Sequence, residues 1–195
     1  MTATVTAVPT HPRVLPPMWV PAAAGVAALL ARPWFLPPGV ALGWRMAFFV
    51  ALGVVGAAWP VVRRIGVDAL VGAGLSLAVL GMGALAFVAG RVVVAVPMRS
   101  NGLALAVALN ALAAVAEEAF FRRYLYGLVA SWSSPAVAVC VTAALFALVH
   151  VTVWGWWVLP LDLAAGLILS WQRAATGRWS VPAITHVLAN TLALL

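Results

Sequence analysis

Charged side chains are scarce in this sequence. Asp, Glu, Lys and Arg make up only 8% of the 195 residues, lysine is absent, and 66% of the residues are hydrophobic. An average soluble domain has about a quarter of its residues charged. A soluble all-α protein would also need polar faces on its helices, and these helices lack them. The composition therefore excludes an ordinary soluble domain and indicates a protein embedded in a lipid bilayer.

Cysteine occurs once, at Cys140, so an intrachain disulfide is excluded and the thiol says nothing about the redox compartment. We interpret it as a packing residue of an apolar helix. The formal net charge is +7. Because the basic residues lie mostly between apolar runs, membrane topology explains this charge, and we expect no nucleic-acid partner.

Apolar runs recur along the whole chain, and many approach the roughly twenty residues that span a hydrocarbon layer about 30 Å thick. This pattern predicts an all-α fold, a polytopic bundle of about six to eight membrane helices. The predicted spans are residues 18–31, 40–61, 68–89, 102–121, 135–153, 155–172 and 180–195. We divide the chain into a short extramembrane tail (1–17), N-terminal membrane helices (18–101) and a C-terminal helical core (102–195).

The arginines indicate the orientation. With the N-terminus in the cytoplasm, the cytoplasmic side collects seven of them and the opposite side four, and the enrichment of basic residues in cytoplasmic loops favours this orientation. The bias towards Ala, Val, Gly and Arg is typical of a GC-rich bacterial genome. We therefore predict a multi-pass protein of the bacterial plasma membrane.

Ionisable residues in the apolar runs of the C-terminal half are few, and they are functional candidates because burying them in a membrane is costly. They are Glu117, Glu118, Arg122, His150, Asp162 and His186, with the amide Asn190 beside them. We interpret Asp162 as a helix-start or interfacial residue.

Helical spacing separates the two glutamates. Residues four apart share a helix face, so Glu118 and Arg122 can form an ion pair, while Glu117 is rotated by about 100° and points elsewhere. His186 and Asn190 are also four apart and project from one face of the last helix. Together with Glu117 and His150, they can direct a carboxylate, two imidazoles and an amide at one point.

Hydrolysis of an amide bond needs these groups. A carboxylate shielded from bulk water can take a proton from water and later return it, with an imidazole orienting that water. A second imidazole and an amide can stabilise the oxyanion. Alternatively, Glu117, His150 and His186 can ligate Zn²⁺ and leave a fourth position for water.

The sequence resembles the CAAX protease and bacteriocin-processing family of intramembrane proteases, also called Abi proteins. The matching elements are EExxxR as "EEAFFR" (117–122), FxxxH as "FALVH" (146–150) and HxxxN as "HVLAN" (186–190), over about half of the chain. The family is usually described as metalloproteases, and a metal-free glutamate mechanism has also been proposed for it.

The resemblance implies a role for each motif residue. Glu117 is the expected general base, with His150 as its partner on the catalytic water. His186 and Asn190 form the expected oxyanion site. The expected structural supports are Glu118, Arg122 and Phe146. Asp162 is not part of the family pattern.

The implied partner is a membrane-associated protein or peptide, cut near one of its termini. Two other functions fit the same composition. One is a non-catalytic scaffold or immunity protein, a function that the loss of a motif residue would support. The other is a transporter or proton relay, which would more often show repeats and broken helices in both halves of the chain.

Overall fold

The protein is all-helical in the part that the structure, a computed structural model, describes: residues 18–58, 77–85 and 102–194. The predicted N-terminal tail (1–17) and most of the third predicted span (68–89) lie outside the described residues. Within the described ranges there is no strand, so the predicted fold class is confirmed at the level of secondary structure.

Three helices in the N-terminal half have described bounds, and residues 77–85 are also helical. They are α1 (Trp19–Leu30), α2 (Arg32–Phe35) and α3 (Leu42–Ala57). The prolines of "RPWFLPPGV" prevent α2 from continuing, because Pro37 and Pro38 cannot donate the next backbone hydrogen bonds. Gly39 completes this turn at φ 88°, a conformation that favours glycine.

The C-terminal half is a continuous series of helices. A single helix of 28 residues, Leu103–Ala130, contains α4 (Leu103–Glu118), a π-helical segment (Ala119–Leu125) and α5 (Tyr126–Ala130). After it come α6 (Pro135–Trp154), a 3₁₀ turn (Trp156–Val158), α7 (Leu159–Thr176) and α8 (Ser180–Leu194).

Local sequence explains where these helices begin and end. Ser134 caps α6 by accepting a hydrogen bond from the Val137 backbone N–H at 3.2 Å, and Pro135 occupies the first turn. Gly177 ends α7 in the left-handed conformation at φ 67°. The short connection that follows lets α8 turn back against α7 and α4.

Interhelical polar contacts tie α6, α7 and α8 together inside the apolar bundle. The hydroxyls of Thr142 and Ser170 lie 3.0 Å apart, both fully buried. Gln172 Nε2 donates to Thr185 Oγ1 at 2.9 Å. Hydrogen bonds between buried side chains of this kind hold membrane helices in register.

Two described helices are long and apolar enough to cross a membrane, Leu103–Ala130 and Pro135–Trp154. Both correspond to predicted spans, the first extending nine residues further than expected. Helices α1, α3 and α8 are apolar but shorter. The predicted number of six to eight spans is therefore not confirmed, although the membrane character of the chain is supported.

Candidate active site

The two adjacent glutamates at the end of α4 are buried and have different partners. Their exposed fractions are 4% for Glu117 and 0% for Glu118. Glu118 faces α8 and the guanidinium of Arg122, whereas Glu117 faces α6 and the start of α2. The predicted separation of the two carboxylates is confirmed.

Glu118 is the acceptor in a buried network. Arg122 Nη1 donates to Glu118 Oε1 at 2.9 Å, so the predicted ion pair is confirmed. His186 Nδ1 donates to the same oxygen, also at 2.9 Å. Arg122 Nη2 extends the network to the backbone oxygen of Gly166 on α7 at 3.3 Å. Glu118 thereby connects α4 and α8, and Arg122 connects the π-helical segment with α7.

The π-helical segment begins directly after Glu118 and contains Arg122. Such segments are rare and occur frequently at functional sites. The Arg122 backbone oxygen accepts a hydrogen bond from Arg173 Nε at 3.0 Å, so this turn is also held from α7. The family motif "EEAFFR" therefore lies across a change of helical geometry that its spacing did not reveal.

Glu117 forms the second cluster. Its Oε1 accepts a hydrogen bond from Arg32 Nη1 at 3.2 Å. Its other oxygen, Oε2, lies 3.9 Å from His150 Nε2. One water molecule can bridge two atoms at this separation with hydrogen bonds of about 2.8 Å to each.

The hydrogen bond at the other ring nitrogen sets the tautomer of His150. Its Nδ1 lies 2.8 Å from the Phe146 backbone oxygen, and a carbonyl oxygen can only accept. Nδ1 therefore carries the hydrogen, and in the neutral ring Nε2 is an acceptor facing Glu117. Asp162 Oδ2 lies 3.8 Å from the same Nδ1 and is buried without a hydrogen-bond partner among the described residues.

Phe146 lies between the two clusters. Its ring centroid is 4.6 Å from that of His150 and 5.7 Å from that of His186. The Arg122 guanidinium carbon lies 4.4 Å from the same centroid, within the range of a cation–π contact. One aromatic ring thus contacts both imidazoles and the buried cation, which is consistent with the supporting role expected for it.

Asn190 is half-buried on α8, one turn after His186. It makes no hydrogen bond within the described ranges. None of the described residues therefore uses its amide N–H groups, and its part in an oxyanion site stays a prediction.

Arg32 and Asp162 belong to this site, and sequence reasoning did not place them there. Arg32 lies between the predicted spans 18–31 and 40–61, and it is 85 positions from Glu117. Asp162 was interpreted as interfacial. No spacing rule connects either residue to the motifs, because both contacts depend on how separate helices pack.

A metal centre needs three or more converging ligands, and within residues 18–58, 77–85 and 102–194 no group of His, Cys, Asp or Glu side chains is arranged to hold one. The Glu117 carboxylate is also paired with a guanidinium at Oε1, which places positive charge beside a carboxylate that a metal ion would bind. Zinc ligation by Glu117, His150 and His186 stays a prediction.

Residues 99–192 match the family model described as Rce1-like, type II CAAX prenyl endopeptidase Rce1-like. The match covers all three motifs and confirms the resemblance seen in the sequence. Comparison with the curated proteins and with the solved structures finds no match.

Proposed function

We propose that this chain, which over residues 99–192 belongs to the Rce1-like family of type II CAAX prenyl endopeptidases, is a metal-free intramembrane endopeptidase that uses Glu117 as its base. The family implies a protease acting on a membrane-associated protein. The observation that carries the mechanism is the 3.9 Å separation between Glu117 Oε2 and His150 Nε2. Both atoms are acceptors, so a water between them can donate one hydrogen to each.

A water held in this way presents its lone pairs to a substrate carbonyl. As its oxygen attacks the carbonyl carbon, Glu117 takes one proton and the carbonyl oxygen becomes an oxyanion. The protonated carboxyl group then gives that proton to the departing amide nitrogen. The C–N bond breaks, and the products are an amine and a carboxylic acid that keeps the second hydrogen of the water; this acid then loses its proton to the amine or to solvent.

His186 and Asn190 are the proposed oxyanion donors. Because His186 Nδ1 donates to Glu118, Nε2 is the nitrogen left for the substrate. It donates a hydrogen bond only when the ring carries both hydrogens. The Asn190 amide has no partner in the described part of the chain and supplies two further N–H groups.

The charges around Glu117 disfavour zinc binding. Glu117 Oε1 already accepts a hydrogen bond from a guanidinium, and His186 Nδ1 is bound to Glu118. A dication at Glu117 would have to displace Arg32 or lie against it, and like charges repel strongly where water is sparse. The carboxylate itself therefore activates the water in this proposal.

The proposed substrate is a membrane protein or peptide cut near one end, close to the bilayer surface. The test compares the termini of membrane proteins by mass spectrometry in cells that carry the wild type or Glu117→Gln at equal expression. Asn110→Ala, on the same helix about two turns earlier, is the matched control because the only side-chain hydrogen bond of Asn110 within the described residues goes to the Ala106 carbonyl.

Termini present with the wild type and the Asn110→Ala variant, and absent with Glu117→Gln, would establish proteolysis and identify the substrate. Identical termini in all three strains would contradict it. If the Glu117→Gln variant also rescued the phenotype of a gene deletion, the protein would act as a scaffold.

A further inference from the structure

Arg32 connects the N-terminal half of the chain to the proposed catalytic base. It is the first residue of α2 and lies before residues 99–192, the range that matches the family model. Its Nη1 is 3.2 Å from Glu117 Oε1, and the two side chains are 12% and 6% exposed. The contact is therefore a hydrogen-bonded ion pair largely withdrawn from solvent.

The helix that precedes Arg32 is packed tightly on the helix that carries Glu117. Gly25 of α1 lies against the Phe120 ring so closely that an added Cβ would overlap the ring atoms. At the start of α1, the Tyr124 hydroxyl donates to the Met18 backbone oxygen at 2.6 Å. Leu29, near its end, is buried in the same core. The backbone that leads into Arg32 is consequently held against the helix that carries Glu117.

The only described hydrogen bond of the Arg32 side chain goes to Glu117. A structural arginine in an apolar bundle would be expected to satisfy several of its five N–H groups, as Arg122 does through Glu118 and Gly166. Arg45 on α3 differs from Arg32 in this respect, because it forms no ion pair with a described carboxylate. Burying a guanidinium for one contact is costly, so that contact calls for a functional explanation.

The contact controls which carboxylate oxygen is available. The terminal torsion of a glutamate is broad and roughly twofold, so an unrestrained carboxylate rotates. A guanidinium that donates to Oε1 removes this freedom and leaves Oε2 directed at His150 Nε2. It also compensates the negative charge of a base that is withdrawn from water.

We propose that Arg32 is a positioning residue of the active site, which orients the Glu117 carboxylate for water activation from outside the family-matched region. This inference rests on the proposed function, because it needs Glu117 to be the base. It extends the catalytic machinery to α2, a segment that none of the three motifs includes.

The test uses the purified full-length protein and a synthetic peptide that spans a cleavage site found by the comparison of termini. The variants are Arg32→Gln, Arg32→Lys and Glu117→Gln, with Arg45→Gln as the matched control. Since misplacing a catalytic group by about 1 Å can cost about a hundredfold in rate, we expect Arg32→Gln to lower kcat about ten- to hundredfold with little change in KM. Arg32→Lys keeps the charge and should recover part of kcat, while Arg45→Gln should match the wild type.

A role in folding alone would lower the yield of folded protein and leave the turnover of the folded fraction unchanged. Rates are therefore measured on the monodisperse fraction. The inference is overturned if Arg32→Gln keeps the wild-type kcat while Glu117→Gln is inactive. It is also overturned if KM rises at constant kcat, which would make Arg32 a substrate-binding residue, or if the Lys and Gln variants are equally slow. An active Glu117→Gln variant would instead refute the proposed function, and this inference with it.

Thermal unfolding provides a second measurement that needs no substrate. If the pair exists in the free protein, Arg32→Gln and Glu117→Gln each leave one charge without its partner. The double variant should then unfold at a higher temperature than the sum of the two single shifts predicts. Strictly additive shifts would show that the pair does not form and would overturn the inference.

Discussion

His186 Nδ1 lies 2.9 Å from Glu118 Oε1, so the second of the two adjacent glutamates holds the imidazole of the last helix. The first, Glu117, faces the imidazole of α6 instead. Each carboxylate thus serves one histidine from a different helix. This division explains why two consecutive glutamates occur at this point of an apolar helix.

We expect Glu118→Gln to reduce both folding and activity. Arg122 and His186 donate to the same Glu118 oxygen, so the substitution removes the anion that compensates a fully buried guanidinium. Breaking a buried pair typically costs about 3–5 kcal/mol of the free energy of unfolding. Unfolding of the detergent-solubilised protein measures the loss. Glu117→Gln, at the more exposed neighbour, should lower the free energy of unfolding clearly less. Equal losses for the two variants would contradict separate roles for the two glutamates.

Arg122→Ala should mainly lower the amount of folded protein. It leaves Glu118 buried without its cation and removes the guanidinium that contacts the Phe146 ring. A loss of about 3–5 kcal/mol is expected, measured as the folded fraction on size-exclusion chromatography. Arg178→Ala is the control, because Arg178 is exposed and exposed substitutions usually change stability by less than about 0.5 kcal/mol. Similar yields for both variants would disagree with this account.

Because α3 lies close to the active-site helix, Gly56→Ala should destabilise the folded protein. A Cβ at Gly56 would lie 2.6 Å from both the Ala119 oxygen and the Phe120 nitrogen, which are backbone atoms and cannot rotate away. Overpacking of this kind typically costs about 1–3 kcal/mol. Gly53→Ala is the matched control on the same helix, since its nearest contact would be an ordinary 3.7 Å. Thermal unfolding should therefore separate the two variants, and equal midpoints would argue against this helix packing.

Asp162→Asn should affect activity more than stability. Asp162 Oδ2 lies 3.8 Å from His150 Nδ1 and has no hydrogen-bond partner in the described residues, so replacing its charge removes no formed bond. In metal sites, mutating a residue that hydrogen-bonds the far nitrogen of a functional histidine lowers metal affinity or activity about ten- to hundredfold. For Asp162→Asn we expect the cleavage rate to fall by an amount towards the lower end of that range. A variant with wild-type cleavage would support the interfacial interpretation.

Metal removal should leave cleavage unchanged. Glu117 is paired with Arg32, and His186 with Glu118, so neither side chain presents its full set of donor atoms to a metal ion. Dialysis against a strong chelator is the experiment, with the zinc content of the purified protein measured in parallel. Activity that disappears on dialysis and returns with added Zn²⁺ would replace the proposed mechanism with a metal-dependent one.

The spacing of the motifs was informative because a helix repeats about every 3.6 residues whatever packs around it. From this alone, Glu118 was paired with Arg122 and Glu117 was directed elsewhere, and the structure agrees on both. The predicted starts of α6 and α8, at residues 135 and 180, agree with the structure, where Pro135 and the Gly177 turn mark them locally. The lengths of the other apolar helices were less predictable, because hydropathy does not determine where a helix stops.

The sequence by itself determined the membrane character, the helical class, the family resemblance of the C-terminal half and the spacing that separates Glu117 from Glu118. Each of these depends on composition or on residues close together in the chain. Only the tertiary structure decided which carboxylate meets which imidazole, and that Arg32 and Asp162 join the site. Those contacts cross between helices, such as the 85 positions from Arg32 to Glu117. They depend on how the helices pack, and helical periodicity carries no information about that.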